Sequence, residues 1–446
     1  MNEVNTGKAD LLRLSIKNVE ESETSEISRI FNSFRYFESI FRPSISLVID
    51  VTDTISLQQQ LPILGGETVD IEFVHQSNNE DKNRIRKKLK IFEIDNVDHS
   101  NQARKSYSLH AISEEFFKNE REDMLVISGF YQQTAKSIVQ NIYTNYIKKI
   151  SNKPLVTVED TYGLLKIAFP SNSTFAALNM VCQQAESIKN KSSNFLFFEN
   201  NKGYHFTTIE NLFNQKPKEQ FFDDINLSKK DDEDNQIKNY QKIVSKNYIN
   251  TSDVLNASLS GKFANKIFYL DPISKTMETT SYNYSKNFKE NAHSQGVNSK
   301  PVLSKKHAEL LSASPTTESF LTTNYITSQK SAYVRQRDDN ISNIVNAPIR
   351  IQNFIGREMA ATNQLRNQKM NITIPGNTEI SAGDLVELFF NLNDTTTQAR
   401  GVNDYTVSGK WLVTSLCHQV NSDGEFMTYL ECMKDSYTEV SKHEVI

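Results

Sequence analysis

The sequence predicts a mainly β protein of the α+β class, with two antiparallel β-barrel domains, a small α/β domain and a loop-rich insertion. Three observations carry that prediction. Apolar and polar residues alternate from Ser44 to Ile112 and again from Asn371 to Met433, the period-2 mark of half-buried strands. Between these regions, from Gln132, the apolar period lengthens to that of an amphipathic helix. The two alternating regions also match each other residue by residue over a turn and the strand after it.

The first region holds ISLVIDV (Ile45 to Val51), LPILGGETVDIEF (Leu61 to Phe73), KLKIFEI (Lys88 to Ile94) and SYSLHAI (Ser106 to Ile112). Gly65-Gly66 stands where a tight turn needs positive φ, and Gln76 to Arg84 reads as a long hairpin loop. These strands predict a first β-domain over residues 9–122. Next, Ala135, Ile138, Val139, Ile142, Tyr146, Ile147 and Ile150 recur at helical spacing. A second helix is expected from an N-cap at Ser173, burying Leu178, Val181, Cys182, Ala185 and Ile188. Asn194 to Leu212 then reads as two aromatic strands around the turn Asn200-Asn201-Lys202-Gly203. Residues 123–216 are therefore an α/β domain.

The charged run SKKDDED (Ser228 to Asp234) marks a solvated linker over 217–236. Strands resume at Val254 to Leu259, Lys266 to Leu270 and Lys275 to Tyr284, then a Ser/Asn/Thr-rich tract runs from Lys286 to Thr327. A helical pattern at Phe354, Ile355, Met359 and Leu365 leads back to β structure, which ends in a hairpin around Asn421-Ser422-Asp423-Gly424. The second β-domain is placed at 237–290 and 366–437, with 291–365 as an inserted loop-rich and helical subdomain.

At 446 residues the chain is long enough for two to four domains, each expected to have its own modest core. Net charge is only −4, which gives no strongly basic nucleic-acid footprint. Apolar residues make up 37%, a low share, yet 26 Phe and 17 Tyr supply anchors that a disordered chain lacks. The N-terminus lacks a signal-peptide pattern and no apolar run approaches a membrane span, so neither secretion by that route nor membrane insertion is expected. Cys182, Cys417 and Cys432 are too few and scattered for a disulfide framework and read as buried thiols.

In the repeat, LGGETVDIEF (Leu64 to Phe73) lies on SAGDLVELFF (Ser381 to Phe390). Gly66 then matches Gly383, Glu67 matches Asp384, Val69 matches Val386, Ile71 matches Leu388 and Phe73 matches Phe390. Lys90 follows Gly66 by 24 residues and Lys410 follows Gly383 by 27, after which Tyr107 and Met427 each follow by 17. This predicts one β-module duplicated at long separation. No enzyme mechanism needs such a duplication, whereas two copies in each of three subunits give pseudo-sixfold symmetry.

Over most of the chain, about Ser44 to Tyr437, and most strongly in three segments, the sequence resembles the baseplate central hub proteins of contractile-tailed bacteriophages, relatives of phage tail protein D and of the N-terminal part of VgrG in type VI secretion. The segments are FLFFENNKGYHFTTIENL (Phe195 to Leu212), NITIPGNTEISAGDLVELFF (Asn371 to Phe390) and WLVTSLCHQV with MTYLECMKDSY (Trp411 to Tyr437). The resemblance implies that both β-domains are tail-tube-like barrels and that the protein is a structural, non-enzymatic component of the virion, made in the host cytoplasm. It implies a homotrimer with a pseudo-sixfold ring that adapts a hexameric tail tube to a trimeric spike. Its partners are then other copies of itself, the tail tube protein, the cell-puncturing spike protein and other baseplate proteins. No membrane is engaged in the resting state and no nucleic-acid sequence is read, although the genome passes through the ring lumen. The chain ends at Ile446 soon after its last strand, so the spike is expected to be a separate protein.

Motif chemistry is sparse. No Walker loop, nucleophile elbow, H-E-x-x-H or strand-borne G-x-G-x-x-G occurs. The histidines His75, His99, His110, His205, His293, His307, His418 and His443 never pair at metal-ligand spacing. No catalytic, cofactor-binding or metal-ligating residue is assigned, and no cofactor is expected. Glu199 and Glu210 flank the aromatic hairpin and allow a glycosidase-like pair. Phe195, Phe197, Phe198, Tyr204 and Phe206 fit either a sugar platform or core packing. Arg84, Arg86, Lys87, Lys88 and Lys90 fit either phosphate contacts or a hairpin arm in an assembly. Two alternatives to a phage hub therefore stand: a carbohydrate-binding or carbohydrate-active tail protein, and the hub of a secretion or contractile injection system.

Overall fold

The computed structural model describes residues 7–77, 80–101, 104–223, 240–250, 260–271, 275–296, 299, 323–328, 355–390, 404 and 406–437. Its first seven strands are β1 (Gly7–Lys17), β2 (Thr24–Glu26), β3 (Phe31–Ser39), β4 (Ser46–Asp53), β5 (Thr68–His75), β6 (Ile85–Asn101) and β7 (Arg104–Ser113). Alternation turns Leu47, Ile49 and Val51 of β4 inward, and the neighbouring β3 contributes Phe34 and Tyr36 to the same core. The strands pair antiparallel in the order β3-β4-β7-β6-β5-β1. β1 and β3 give weaker sequence signals because register shifts at Leu11/Arg13 and Phe31/Ser33 break their alternation.

The α/β unit follows with β8 (Leu125–Gln133), β9 (Leu155–Val158), β10 (Thr161–Tyr162), β11 (Leu165–Ser173), β12 (Glu186–Ser187), β13 (Phe195–Asn200) and β14 (Gly203–Thr208). Here β8 pairs with β11, β10 with β12, and β13-β14-β9 form a three-stranded sheet. The helix Ala135–Ile142 is capped by Thr134, whose hydroxyl accepts from Ser137 N at 3.2 Å, and it continues as a π-helical turn, Tyr143–Ile147. Its apolar stripe packs on the helix Thr174–Cys182 and the sheet, forming a core of its own. The second helix stops at Cys182, so Ile188, expected inside, is exposed.

The remaining strands are β15 (Glu219–Phe222), β16 (Ser245–Asn250), β17 (Ala264–Asp271), β18 (Thr276–Asn283), β19 (Thr323–Ser328), β20 (Lys369–Pro375), β21 (Leu385–Phe389), β22 (Gly409–Asn421) and β23 (Glu425–Met433). The second barrel runs β15-β21-β22-β23-β20-β16. It closes where Phe222 N donates to Gln241 O at 2.8 Å and Ile243 N donates to Phe222 O at 2.9 Å. The segment expected to be a linker therefore supplies a barrel strand, with Phe221 fully buried; Pro217 and the nearby charges masked a four-residue strand. The run Ser228 to Asp234 and the expected strand Val254 to Leu259 lie outside the described residues, as does most of Lys286 to Thr327.

A second difference concerns 237–290. Only β16 joins the barrel; β17 and β18 build a separate sheet with β19, packed by the helix Ile355–Asn367. Alternation identifies a strand without naming its neighbour.

The two barrels also share a hairpin, contrary to the expectation of separate cores. On one edge of β22, Gly409–Leu412 pairs with β21 and Ser415–Asn421 pairs with β3; β23 pairs with β1 at Phe426 and with β20 from Met427 to Met433. One continuous apolar core results, from Leu14, Phe34 and Ile91 through to Ile372, Leu388 and Val413. Among the described residues no helix is long and apolar enough to cross a membrane.

The repeat is geometric as well as sequential. Gly66 and Gly383 have φ of 98° and 92°. Gly66 N donates to Ile91 O at 2.7 Å and Ile91 N to Glu67 O at 2.9 Å; Gly383 N donates to Val413 O at 2.8 Å and Val413 N to Asp384 O at 3.0 Å. A bulge follows both strands at the same place, Ile91/Glu93 and Val413/Ser415. The spacing match of Lys90 with Lys410 needs one correction. Lys90 faces Thr68, whose counterpart Leu385 faces Leu412, so the register differs by two residues. A two-residue slip keeps every side chain on its face, which hides it from alternation.

Candidate functional site

The hairpin β13–β14 seats the α/β unit on the barrels. Gly203 sits at the turn with φ 138°, where a Cβ would stand 2.3 Å from Pro154 O. From this turn Asn200 Nδ2 donates to Ala382 O at 3.0 Å, and Lys202 Nζ lies 3.1 Å from Asp384 Oδ1. Gln215 Nε2 donates to Gly383 O at 3.2 Å, and the Phe198 ring packs on Gly383 so tightly that a Cβ there would be 3.0 Å away. Residues Ile380 to Asp384 are all buried. The equivalent turn of the first barrel is less covered: Ile63, Gly66 and Glu67 are buried, but Leu64 is 91% exposed, and Val19 and Phe117 stand exposed beside Gly66. A cleft of about 390 Å³ lies beside the junction, lined by Phe198, Lys202, His205, Asn211 and Asp384 among others.

Beneath the hairpin lies a buried charge network. Lys153 Nζ is 2.7 Å from Glu199 Oε1 and 2.7 Å from Glu115 Oε2, both carboxylates being wholly buried. Glu199 Oε2 also accepts from Ser113 Oγ at 2.6 Å and from Ile45 N at 3.3 Å, tying the hairpin to the first barrel. Burial works against the Lys153 charge, but the two carboxylates outweigh it and raise its pKa. Lys87 Nζ donates to Asn201 O at 3.0 Å, and burial pushes its pKa down. Glu38 accepts from Tyr36 OH at 2.8 Å and from Ala382 N at 2.9 Å; burial pushes it up to about 7. Three carboxyls and two ammonium groups thus lock the α/β unit and both barrels together.

These contacts assign the residues that sequence alone left open. Glu199 is an ion-pair partner, whereas Glu210 accepts from Asn194 Nδ2 at 2.9 Å in a different network; the two share no partner and do not form a cleft pair. Phe195, Phe198, Tyr204 and Phe206 are buried, with Phe195 stacked on Phe206 at 4.6 Å, so the aromatics pack a core. Arg86 Nε donates to Glu72 at 2.8 Å, Arg84 pairs with Asp81 at 3.0 Å, and Lys90 donates to Thr68 Oγ1 at 2.7 Å. With Lys87 on Asn201, four members of the basic cluster have partners within the chain.

His205 bonds Thr157 and Asn200 at 3.0 and 2.9 Å and stacks on Phe198, and burial lowers its pKa to about 4. His418 is buried beside Tyr36, and burial lowers it to about 3. His293 faces acceptors on both sides, Asp435 Oδ2 at 2.6 Å and Phe288 O at 2.7 Å; burial works against its charge, but Asp435 outweighs it and raises its pKa. It clasps the segment after β18 to the end of β23. Among the described residues no group of His, Cys, Asp and Glu could hold a metal ion. The functional residues that sequence reading missed are Glu38, Glu115 and Lys153. One signal was present: in FRYFES, Glu38 continues the inward series Phe34, Tyr36, an acid where an apolar residue is expected.

No protein-family model matches the chain, and no curated protein matches it by sequence. Solved structures do match. A tail protein from Neisseria meningitidis superposes with a TM-score of 0.54 at 10% identity, covering 95% of this chain and 96% of that one. The 43 kDa tail protein of prophage MuSo2 from Shewanella oneidensis superposes with a TM-score of 0.51 at 8% identity, covering 97% and 98%. Over nearly its whole length, therefore, the chain has the fold of these tail proteins, in agreement with the resemblance in its sequence.

Proposed function

We propose that this chain is the structural hub of a contractile phage tail baseplate. It assembles as a homotrimer whose six barrels make a pseudo-sixfold ring, one face continuing the hexameric tail tube and the other seating the trimeric spike protein. The observation that carries this reading is the duplication itself: two barrels with matched glycine turns, matched bulges and a common hairpin fixing their relative rotation. The role is non-enzymatic, since Glu199, Glu210 and the aromatic hairpin are committed to structural contacts. The protein resides in the tail baseplate of the virion, beside other baseplate proteins.

Mass photometry and negative-stain class averages of the purified chain test the reading. A particle of three chains with a ring outline supports it, and monomers at micromolar concentration overturn it.

A further inference from the structure

In the α/β unit, β8 and β11 form a two-stranded ribbon. Its inward residues Val126, Phe130, Ile167 and Phe169 join the core built on the helices Ala135–Ile142 and Thr174–Cys182. Alternation leads one to expect a polar outward face. The residues there are instead Ile127 beside Pro170, Gly129 beside Ala168 and Tyr131 beside Lys166, with Ile127 70% and Tyr131 62% exposed. Register shifts at Leu165/Lys166 and Pro170/Asn172 bound this stretch, and Lys166 is the one charged residue among the three pairs. Its ammonium lies 4.6 Å from the centre of the Tyr131 ring, and among the described residues no carboxylate pairs with it.

Gly129 lacks positive φ, and a Cβ there would meet nothing within 4 Å, so neither the backbone nor a neighbour requires glycine. Glycine weakens the middle of a strand and is found where another chain comes close. Addition of a strand at an edge leaves these residues unexplained, because it uses the backbone and not the face. Pro170, moreover, has no N–H to give a strand beside β11. A helix lying on the face fits the dimensions. Two strands about 4.8 Å apart make, with their side chains, a strip about as wide as a helix, and the four steps from Ile127 to Tyr131 span about 13 Å, some two and a half helical turns.

We propose that the outward face of the β8–β11 ribbon seats an amphipathic helix of another protein. Its apolar stripe covers Ile127, Gly129, Ala168 and Pro170, and a carboxylate bordering that stripe pairs with Lys166. Docking gives the ribbon helices on both faces, the layering that buries a sheet completely. The partner is not a second copy of this chain. Its three longest described helices already bury their apolar residues at home, Ile138 and Ile142, Leu178 and Val181, Ala360 and Leu365. The face is small and the contact therefore weak. The inference stands apart from the ring and the hub, since it uses the α/β unit alone.

The probe is a synthetic peptide of about 18 residues, long enough to be helical alone, with a leucine stripe bordered by glutamates; its twin carries lysines in their place. Fluorescence anisotropy measures both against the full chain. The glutamate peptide is expected to bind at least tenfold tighter than its twin. Lys166→Glu should reverse that order, and Gly129→Val, which suits a strand but raises the face, should weaken binding tenfold with no drop in melting temperature. Leu64→Ser on the first barrel should change nothing. A footprint on the unmodified protein locates the peptide: nitration of Tyr131 should slow at least fivefold on binding, while Tyr429, exposed on β23, serves as the unchanged reference. No binding at millimolar peptide, equal affinity for the twins, indifference to both ribbon variants, or an unprotected Tyr131 overturns the proposal. So does a Tyr131 that resists nitration in the free chain, which means the face is already covered. If Ile127→Asp splits an oligomer into monomers, the occupant is a second copy and the proposal fails.

Discussion

Replacing Lys153 by methionine tests whether the charge network holds the α/β unit in place. The substitution removes the ammonium that stands 2.7 Å from both Glu199 and Glu115, neither of which reaches solvent. Breaking a buried pair by deleting one partner costs about 3–5 kcal/mol. An abandoned carboxylate can escape by taking up a proton, and for an ordinary glutamate that costs about 4 kcal/mol at pH 7.5 and about 1.6 kcal/mol at pH 5.5. Glu199 retains its bonds from Ser113 and Ile45, so the larger share falls on Glu115. The expected loss is therefore about 4–6 kcal/mol at pH 7.5, shrinking by at least half at pH 5.5. Urea unfolding followed by near-ultraviolet circular dichroism reads it, because the rings of Tyr36 and Tyr204 lie buried at this junction. A variant within 1 kcal/mol of the parent at pH 7.5, or a loss that does not change with pH, refutes the reasoning.

Three further outcomes follow from the same geometry. Glu38 is raised from 4.5 to about 7, so its contribution is fully present below pH 4.5 and lost as pH rises through 7. Glu38→Gln is expected to flatten the stability profile between those values, by about 3 kcal/mol at most, and a parallel profile in urea titrations counts against the assignment. Gly66→Ala and Gly383→Ala both force alanine to positive φ, at about 1 kcal/mol each, but only the second drives a Cβ against Phe198. Thermal melts should therefore rank Gly383→Ala clearly below Gly66→Ala, and equal melting points would remove the proposed asymmetry between the turns. His293 is raised above its ordinary 6.5 because Asp435 outweighs the effect of burial, so its clasp is complete below that value and fades as pH rises through the raised one. Imidazole NMR titration should find its midpoint above 6.5, and Asp435→Asn should bring it down.

Much of the barrel architecture is legible in the sequence because its signals are local. β4 alternates cleanly and β7 does so from Leu109, Gly66 and Gly383 stand where positive φ is required, and Asn200 to Gly203 is the expected turn. β1 and β3 are harder to read since each carries an irregularity, midway in β1 and at the start of β3, that breaks the pattern. The shared hairpin is not legible at all: Ser39 pairs with Ser415 across 376 residues, and alternation is silent about partners. The same silence assigned β17 and β18 to the wrong sheet. Of the junction, the hairpin and its glycine could be read, whereas Lys153 resembles any surface lysine until Glu115 and Glu199 close around it.

The hairpin common to both barrels also imposes an order on synthesis. At about 5–20 residues per second, the stretch from Ser39 to Ser415 takes roughly 20–75 s to translate. During that interval β3 and β1 have no β22 and β23 to close against, so the first barrel remains an open sheet with its core at the rim exposed to water. The most sequence-distant pairings in the fold, β1 with β23 and β3 with β22, are thus also the last to become available, so the N-terminal sheet is expected to stay aggregation-prone until the C-terminal strands emerge.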